Sequence, residues 1–208
     1  MSKWSKTYFK AKINSDQIDI EEGILRDVVM CQVGPAKGHG VHLEQEFIEQ
    51  TVNLGQEQPQ GLKARFGHPM MSTEALGTGL GRFHNVRLRG NQAIGDLHLA
   101  EYSQSSPEGD LRTYILERAQ EDPDSFGSSI VFIPGEKYKR NENGEKVYRF
   151  KEVEGERVFN KEFRNTKGPV FDSITQLLGC DLVDEPAATN SLFHSKFNSH
   201  AFAVQIET

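Results

Sequence analysis

Cysteine is nearly absent: Cys31 and Cys180 are the only two in 208 residues. Both sit in apolar, strand-like stretches, so reduced buried thiols are expected and a disulfide framework is not. Neither has flanking residues that favour a nucleophilic cysteine. An excess of positive charge is also missing, since 24 Lys and Arg stand against 30 Asp and Glu, for a net charge of -6. That balance argues against nucleic acid as a partner, because phosphate contacts need a basic face. No apolar run approaches the roughly 20 residues that cross a bilayer. The first residues lack the charged-then-apolar order of a signal segment, with Lys3, Lys6, Lys10 and Lys12 interleaved among polar residues. No membrane partner and a cytosolic location are therefore expected. Internal repeats and low-complexity blocks are absent. What remains is enough chain for one domain with a real core, expected to span 1–208.

The pattern within that domain is mostly β. Tyr8, Phe9, Ile13, Ile18 and Ile20 alternate with polar residues, and Ile24 to Val33 reads as a half-buried strand. Gly34 to Gly40 reads as a loop from its glycines and proline. Leu43, Phe47, Ile48, Val52 and Leu54 recur at helical spacing and predict an amphipathic helix over about Glu44 to Asn53, broken by the polar segment from Gly55 to Gly61. A short strand from Leu62 to Phe66 follows. Two more, Arg82 to Leu88 and Ala93 to Leu99, are joined by a turn at Arg89-Gly90-Asn91-Gln92. Gly109 to Gln120 predicts a helix that Pro123 stops. From about 135 to 168 the composition turns strongly charged, which predicts a solvated hairpin within the same domain. Phe171 to Leu178 is a short helix or strand, Cys180 to Val183 a buried strand, and the tail after His194 is polar and frayed.

Three stretches carry chemistry. In Asp124-Ser125-Phe126-Gly127-Ser128-Ser129-Ile130-Val131-Phe132, small residues precede a run of β-formers, which presents a serine at the start of a strand. A Gly-Ser-Ser run also occurs in ordinary turns. A serine hydroxyl needs an adjacent base to become a nucleophile, and histidine is the natural one because its ordinary pKa lies near neutrality. Of seven histidines, His68 is the best candidate, held between Gly67 and Pro69 at a strand exit. Ser129 is favoured as the nucleophile. Ser128 points to the opposite face and is expected as a hydrogen-bonding turn residue or a backbone donor near the oxyanion. Asp181, enclosed by Cys180, Leu182 and Val183, needs a partner if it is buried. It is the candidate third member, ahead of the exposed Asp184 and Glu185.

These residues resemble, in their order, the prohead (capsid maturation) proteases of tailed bacteriophages, serine peptidases related in fold to the herpesvirus assemblin proteases. The likeness rests on Phe66-Gly67-His68-Pro69 with the glycine-rich approach to Gly81-Arg82-Phe83, on Gly95-Asp96-Leu97-His98-Leu99, on Gly127-Ser128-Ser129-Ile130-Val131-Phe132, and on Asp181-Leu182-Val183-Asp184-Glu185-Pro186-Ala187-Ala188. It covers roughly Leu62 to Phe193. It departs at Val131, where the family often has glycine, in the length of the charged segment, and near Gly179, where many relatives carry Glu. If Asp181 is not the third member, Asp184, His98 or Asp27 is next. The resemblance implies an α+β, mainly β fold, a herpesvirus-protease-like β-barrel or sheet flanked by a few helices. It also implies a serine endopeptidase that works by acyl transfer without cofactor or metal. Its substrates would be the major capsid protein and scaffold segments, often with itself, inside the assembling procapsid in the host cytoplasm, with possible self-association.

Two other readings compete. A non-catalytic scaffold or capsid-assembly protein would keep the fold but leave Ser129 and His68 too far apart to share a hydrogen bond. A metal-dependent hydrolase would draw on His39 and His42 of Gly38-His39-Gly40-Val41-His42 with Asp27 or Asp96, although the spacing lacks a helical His pair or a Cys/His framework. A third use of that loop, with Lys37, is to line a substrate cleft or meet a partner.

Overall fold

A computed structural model describes residues 15–68 and 73–193. The expected alternation at Tyr8, Phe9 and Ile13, Pro69 beside His68, and the frayed tail after His194 lie outside those residues. The described chain is α+β and mainly β, without a closed barrel.

Its main body is an antiparallel sheet. The strands are β1 (Ile18–Asp19), β2 (Ile24–Gln32), β3 (Gly34–Ala36), β4 (Val41–Leu43), β5 (Leu62–Arg65), β6 (Gly79–Arg89) and β7 (Gln92–Leu99). Five of them form one sheet in the order β1-β2-β7-β6-β5. The β6–β7 hairpin closes over Gly90 and Asn91, with Arg89 opposite Gln92. The stretch expected as a loop instead contains the β3–β4 hairpin, which pairs Gly34 with Leu43 and Ala36 with Val41. Glycine and proline composition hid a pairing that needs only three residues a side.

Helix α1 (Gln45–Gln56) buries Phe47, Ile48, Thr51, Val52 and Gly55, one stripe of a 3.6-residue period. It continues past Gly55 where a break was expected. A Cβ at Gly55 would stand 2.9 Å from Val86 Cγ1, so this glycine lets the helix approach β6 closely and does not terminate it. The core joins α1 to β2, β5, β6 and β7 through Phe47, Ile48, Met30, Leu62, Phe83 and Leu97. Fully burying each such side chain contributes roughly 1.5–3 kcal/mol.

Helix α2 (Leu111–Glu121) starts at Asp110, whose carboxylate accepts from the Thr113 N–H at 3.0 Å. It buries Leu111, Ile115, Leu116 and Ala119. It leads to β8 (Gly127–Pro134). The charged segment that follows is two hairpins, not one. They are β9 (Tyr138–Arg140) with β10 (Lys146–Tyr148), and β11 (Phe150–Val153) with β12 (Glu156–Phe159), followed by α3 (Lys161–Asn165). The first is fastened to the start of α1. Tyr138 is buried and stacks on Phe171, Glu44 accepts from the Tyr138 hydroxyl and from Arg140, and Lys146 pairs with Glu46 at 2.6 Å.

The final described strand, β13 (Ile174–Val183), runs through the segment expected as two pieces. It pairs antiparallel with β8. This ribbon lies against β5 at one edge of the main sheet and against β2, next to the other edge. Phe66 makes a parallel bridge to Leu182 beside β5, and the Ser128 hydroxyl on β8 donates to the Val29 carbonyl on β2 at 2.5 Å.

Candidate active site

Three strand ends bring the chemistry together. The β8–β13 register sets Ser129 directly opposite Asp181, and residues facing each other across an antiparallel pair project from the same side of the sheet. The third group arrives from β5. After Arg65 the chain turns at Gly67, whose φ of 71° lies in the left-handed region that glycine occupies without strain. The Gly67 N–H donates to the Leu182 carbonyl at 2.7 Å, tying this turn to the residue next to Asp181. His68 is thereby delivered to the carboxylate.

Asp181 has no solvent exposure and is fully partnered. Its Oδ1 accepts from Arg65 Nε at 3.0 Å, and its Oδ2 accepts from Arg65 Nη2 at 2.7 Å. That same Oδ2 meets His68 Nδ1 at 2.9 Å. A carboxylate held by a guanidinium fork only accepts hydrogen bonds, so Nδ1 carries the proton and Nε2 is left with a free lone pair. The imidazole side chain is 46% exposed. Ser129 is partly exposed, and its hydroxyl makes no hydrogen bond among the described residues, to His68 included: the imidazole and the hydroxyl share a cleft but not a hydrogen bond.

His68 and Ser129 line the same cleft, of about 530 Å³. Its walls include Ile130, Val131 and Phe132 from β8, with Ala187 and Ala188 beyond β13, and Lys137 and Asp172 at one end. Ala36, His39 and Val41 of the β3–β4 hairpin also face it. Burial raises the Asp172 carboxyl above its ordinary range, against the opposing pull of Lys137.

The other sequence candidates lie elsewhere. Ser128 is wholly buried and its hydroxyl is committed to the carbonyls of Val29 and Met30, so the side chain is turned from the cleft. Asp184 is exposed, accepts from the Glu185 N–H at 3.0 Å, and edges a separate depression with Lys37 and Asp124. His98 rests against His84 with ring centroids 4.8 Å apart, and burial first, then His84, lowers its pKa. Asp27, at φ 58°, pairs with Arg87 and Arg89. Asp96 accepts from the Asp27 N–H, Asn85 and Arg87. His42 packs edge-on to Phe171. Thus His39, His42, Asp27 and Asp96 do not converge, and no cluster of metal-ligating side chains forms among the described residues. The two cysteines are equally remote from nucleophilic chemistry. Burial pushes the Cys31 thiol up to about 12, and burial raises Cys180 as well.

Arg65 is the site residue to which sequence reasoning gave no role. The signal was present: a carboxylate inside an apolar strand requires a cation, and Arg65 stands three residues before the chosen base.

No helix among the described residues is long and apolar enough to cross a membrane. No family model matches the chain, and no curated protein does. Among solved structures, the chain is similar to the capsid assembly protease of bacteriophage T4, with 12% identity and a TM-score of 0.35 over 76% of this chain and 89% of that one.

Proposed function

We propose that the protein is a serine endopeptidase of the capsid-maturation kind, with Ser129 as nucleophile, His68 as general base and Asp181 as the group that orients the imidazole. One observation carries the reading. Asp181 stands opposite Ser129 on the paired strand and holds His68 through Nδ1, while His68 and Ser129 open onto one cleft. In the reaction, His68 Nε2 takes the Ser129 proton as Oγ attacks a peptide carbonyl. The imidazolium returns that proton to the leaving amine, and water then releases the acyl group by the same route. Backbone donors near the start of β8 would stabilise the oxyanion.

The substrate class follows from the motif resemblance given above: scaffold and capsid-protein segments, and the chain itself, within a procapsid. Confinement inside a shell would raise substrate concentration and restrict cleavage to that compartment. A cleft with one largely apolar wall and a few polar groups suits an extended peptide segment.

The test uses a fluorophosphonate carrying a fluorescent tag. Ser129 Oγ forms a bond to phosphorus, the P–F bond breaks, fluoride leaves, and His68 accepts the hydroxyl proton. Labelling confined to Ser129, lost in Ser129→Ala and in His68→Ala, supports the reading. A folded wild-type protein that does not label at Ser129 and leaves a co-expressed capsid protein intact overturns it, and with it the catalytic role of the cleft.

A further inference from the structure

The Arg65 guanidinium is placed where an ordinary serine-histidine-aspartate arrangement has no cation. A buried carboxylate behind a catalytic imidazole serves two purposes: it fixes the ring's tautomer and direction, and its negative charge favours the imidazolium that forms as the serine loses its proton. Here that charge is already shared. Arg65 meets both oxygens of Asp181, and its Nη2 lies on Oδ2, the oxygen that also receives the His68 Nδ1–H.

Two physical consequences follow. Two-point contact holds the plane of the carboxylate far more firmly than a single bond to an imidazole does. Its charge also offsets the carboxylate's pull on a proton at His68. The remaining charged and titratable groups facing this cleft are His39 from the β3–β4 hairpin, Lys137 after β8 and Asp172 before β13. Lys137 and Asp172 lie 3.8 Å apart and largely neutralise each other.

We infer that Arg65 is a positioning residue for the reaction: its fork sets the direction of Asp181, and through it the direction of His68, while its positive charge offsets that of the carboxylate behind the ring. This rests on the peptidase reading above. Arg65 also lines the cleft, but both of its hydrogen bonds go to Asp181 and none goes to Ser129 or His68, so its contact with the pair runs through that carboxylate.

Fluorophosphonate inactivation of the full chain separates the two contributions without knowledge of the natural substrate. Arg65→Lys retains a cation but loses the two-point geometry. Its maximal inactivation rate is expected to fall about tenfold at unchanged half-saturating probe concentration, with the acid limb of the pH profile where the wild type has it. Arg65→Gln loses the charge as well, and its acid limb is expected to move to higher pH than that of the wild type, because the carboxylate charge beside the ring is no longer offset. Circular dichroism and a melting curve accompany each variant, and Arg65→Lys alone suffices if Arg65→Gln does not fold. A merely structural role predicts lower melting temperatures with wild-type rates and an unmoved profile below the melt, which overturns the inference. If the wild type labels and Ser129→Ala does not, while Arg65→Lys inactivates at the wild-type rate, Arg65 has no positioning role and the peptidase reading survives. If the folded wild type does not label at all and leaves a co-expressed capsid protein intact, both fall together.

Discussion

Ser128 and Ser129 are neighbours on β8 with opposite fates: one hydroxyl is sealed against the Val29 carbonyl on β2, and the other opens onto the cleft opposite Asp181. Strand alternation separates them. Replacing each by alanine should therefore give contrasting results. Ser129→Ala is expected to abolish fluorophosphonate labelling with the melting temperature nearly unchanged. Ser128→Ala is expected to label normally but to lose about 1–3 kcal/mol of stability, because it leaves a buried acceptor without its donor. Urea unfolding read beside labelling checks both.

Asp181 and His68 should also separate stability from activity. His68 is 46% exposed while Asp181 is wholly buried against Arg65. His68→Ala is expected to lower proteolysis or labelling about 10⁶-fold and to change stability by less than about 0.5 kcal/mol. Asp181→Ala is expected to lose activity and also roughly 3 kcal/mol of stability, since it strands a largely buried guanidinium. Equal losses of stability in the two variants would contradict the geometry.

Glu44 links the charged hairpin to α1, and it predicts an acid-sensitive contribution to stability. Burial acts to raise its pKa, but Arg140, Tyr138 and Lys146 outweigh that and hold it below its ordinary value of 4.5. A depressed carboxylate stabilises the fold fully above its unfolded pKa, and that contribution is lost as pH falls through the lower folded value. Glu44→Gln is thus expected to be less stable than wild type at neutral pH, with the gap shrinking below about pH 4.5. Unfolding midpoints measured across that range test the sign.

The thiols offer a fourth check. Cys31 and Cys180 are fully buried and both raised in pKa by that burial. Iodoacetamide is therefore expected to modify neither in the native protein and to leave labelling at Ser129 unchanged, whereas mass spectrometry after denaturation should show both alkylated.

Much of this was legible in the chain. Periodicity located α1, α2 and the β6–β7 hairpin, and the small-residue cluster before Ile130-Val131-Phe132 marked the start of β8. Enclosure of Asp181 by apolar neighbours signalled a carboxylate that must have partners. Other features were hidden for physical reasons. The hairpins between β8 and α3 expose much of their surface, so no apolar alternation betrays them. Gly55 reads as a helix breaker until the close approach of Val86 is known. Most of all, the pairing of Ser129 with Asp181 is a matter of register between distant segments, and a single strand's pattern says which face is buried without saying which residue stands opposite. The partner of Asp181 was concealed for the same reason, since Arg65 on β5 meets β13 only after the ribbon has docked.

That docking has a temporal corollary. β13 is the last strand among the described residues and supplies both the neighbour of β8 and the anchor for the Gly67 turn. Ser129 and His68 therefore acquire a common scaffold only once the chain has been made as far as Val183, and on the proposed reading a chain that stops short of β13 would hold both groups without the carboxylate that joins them.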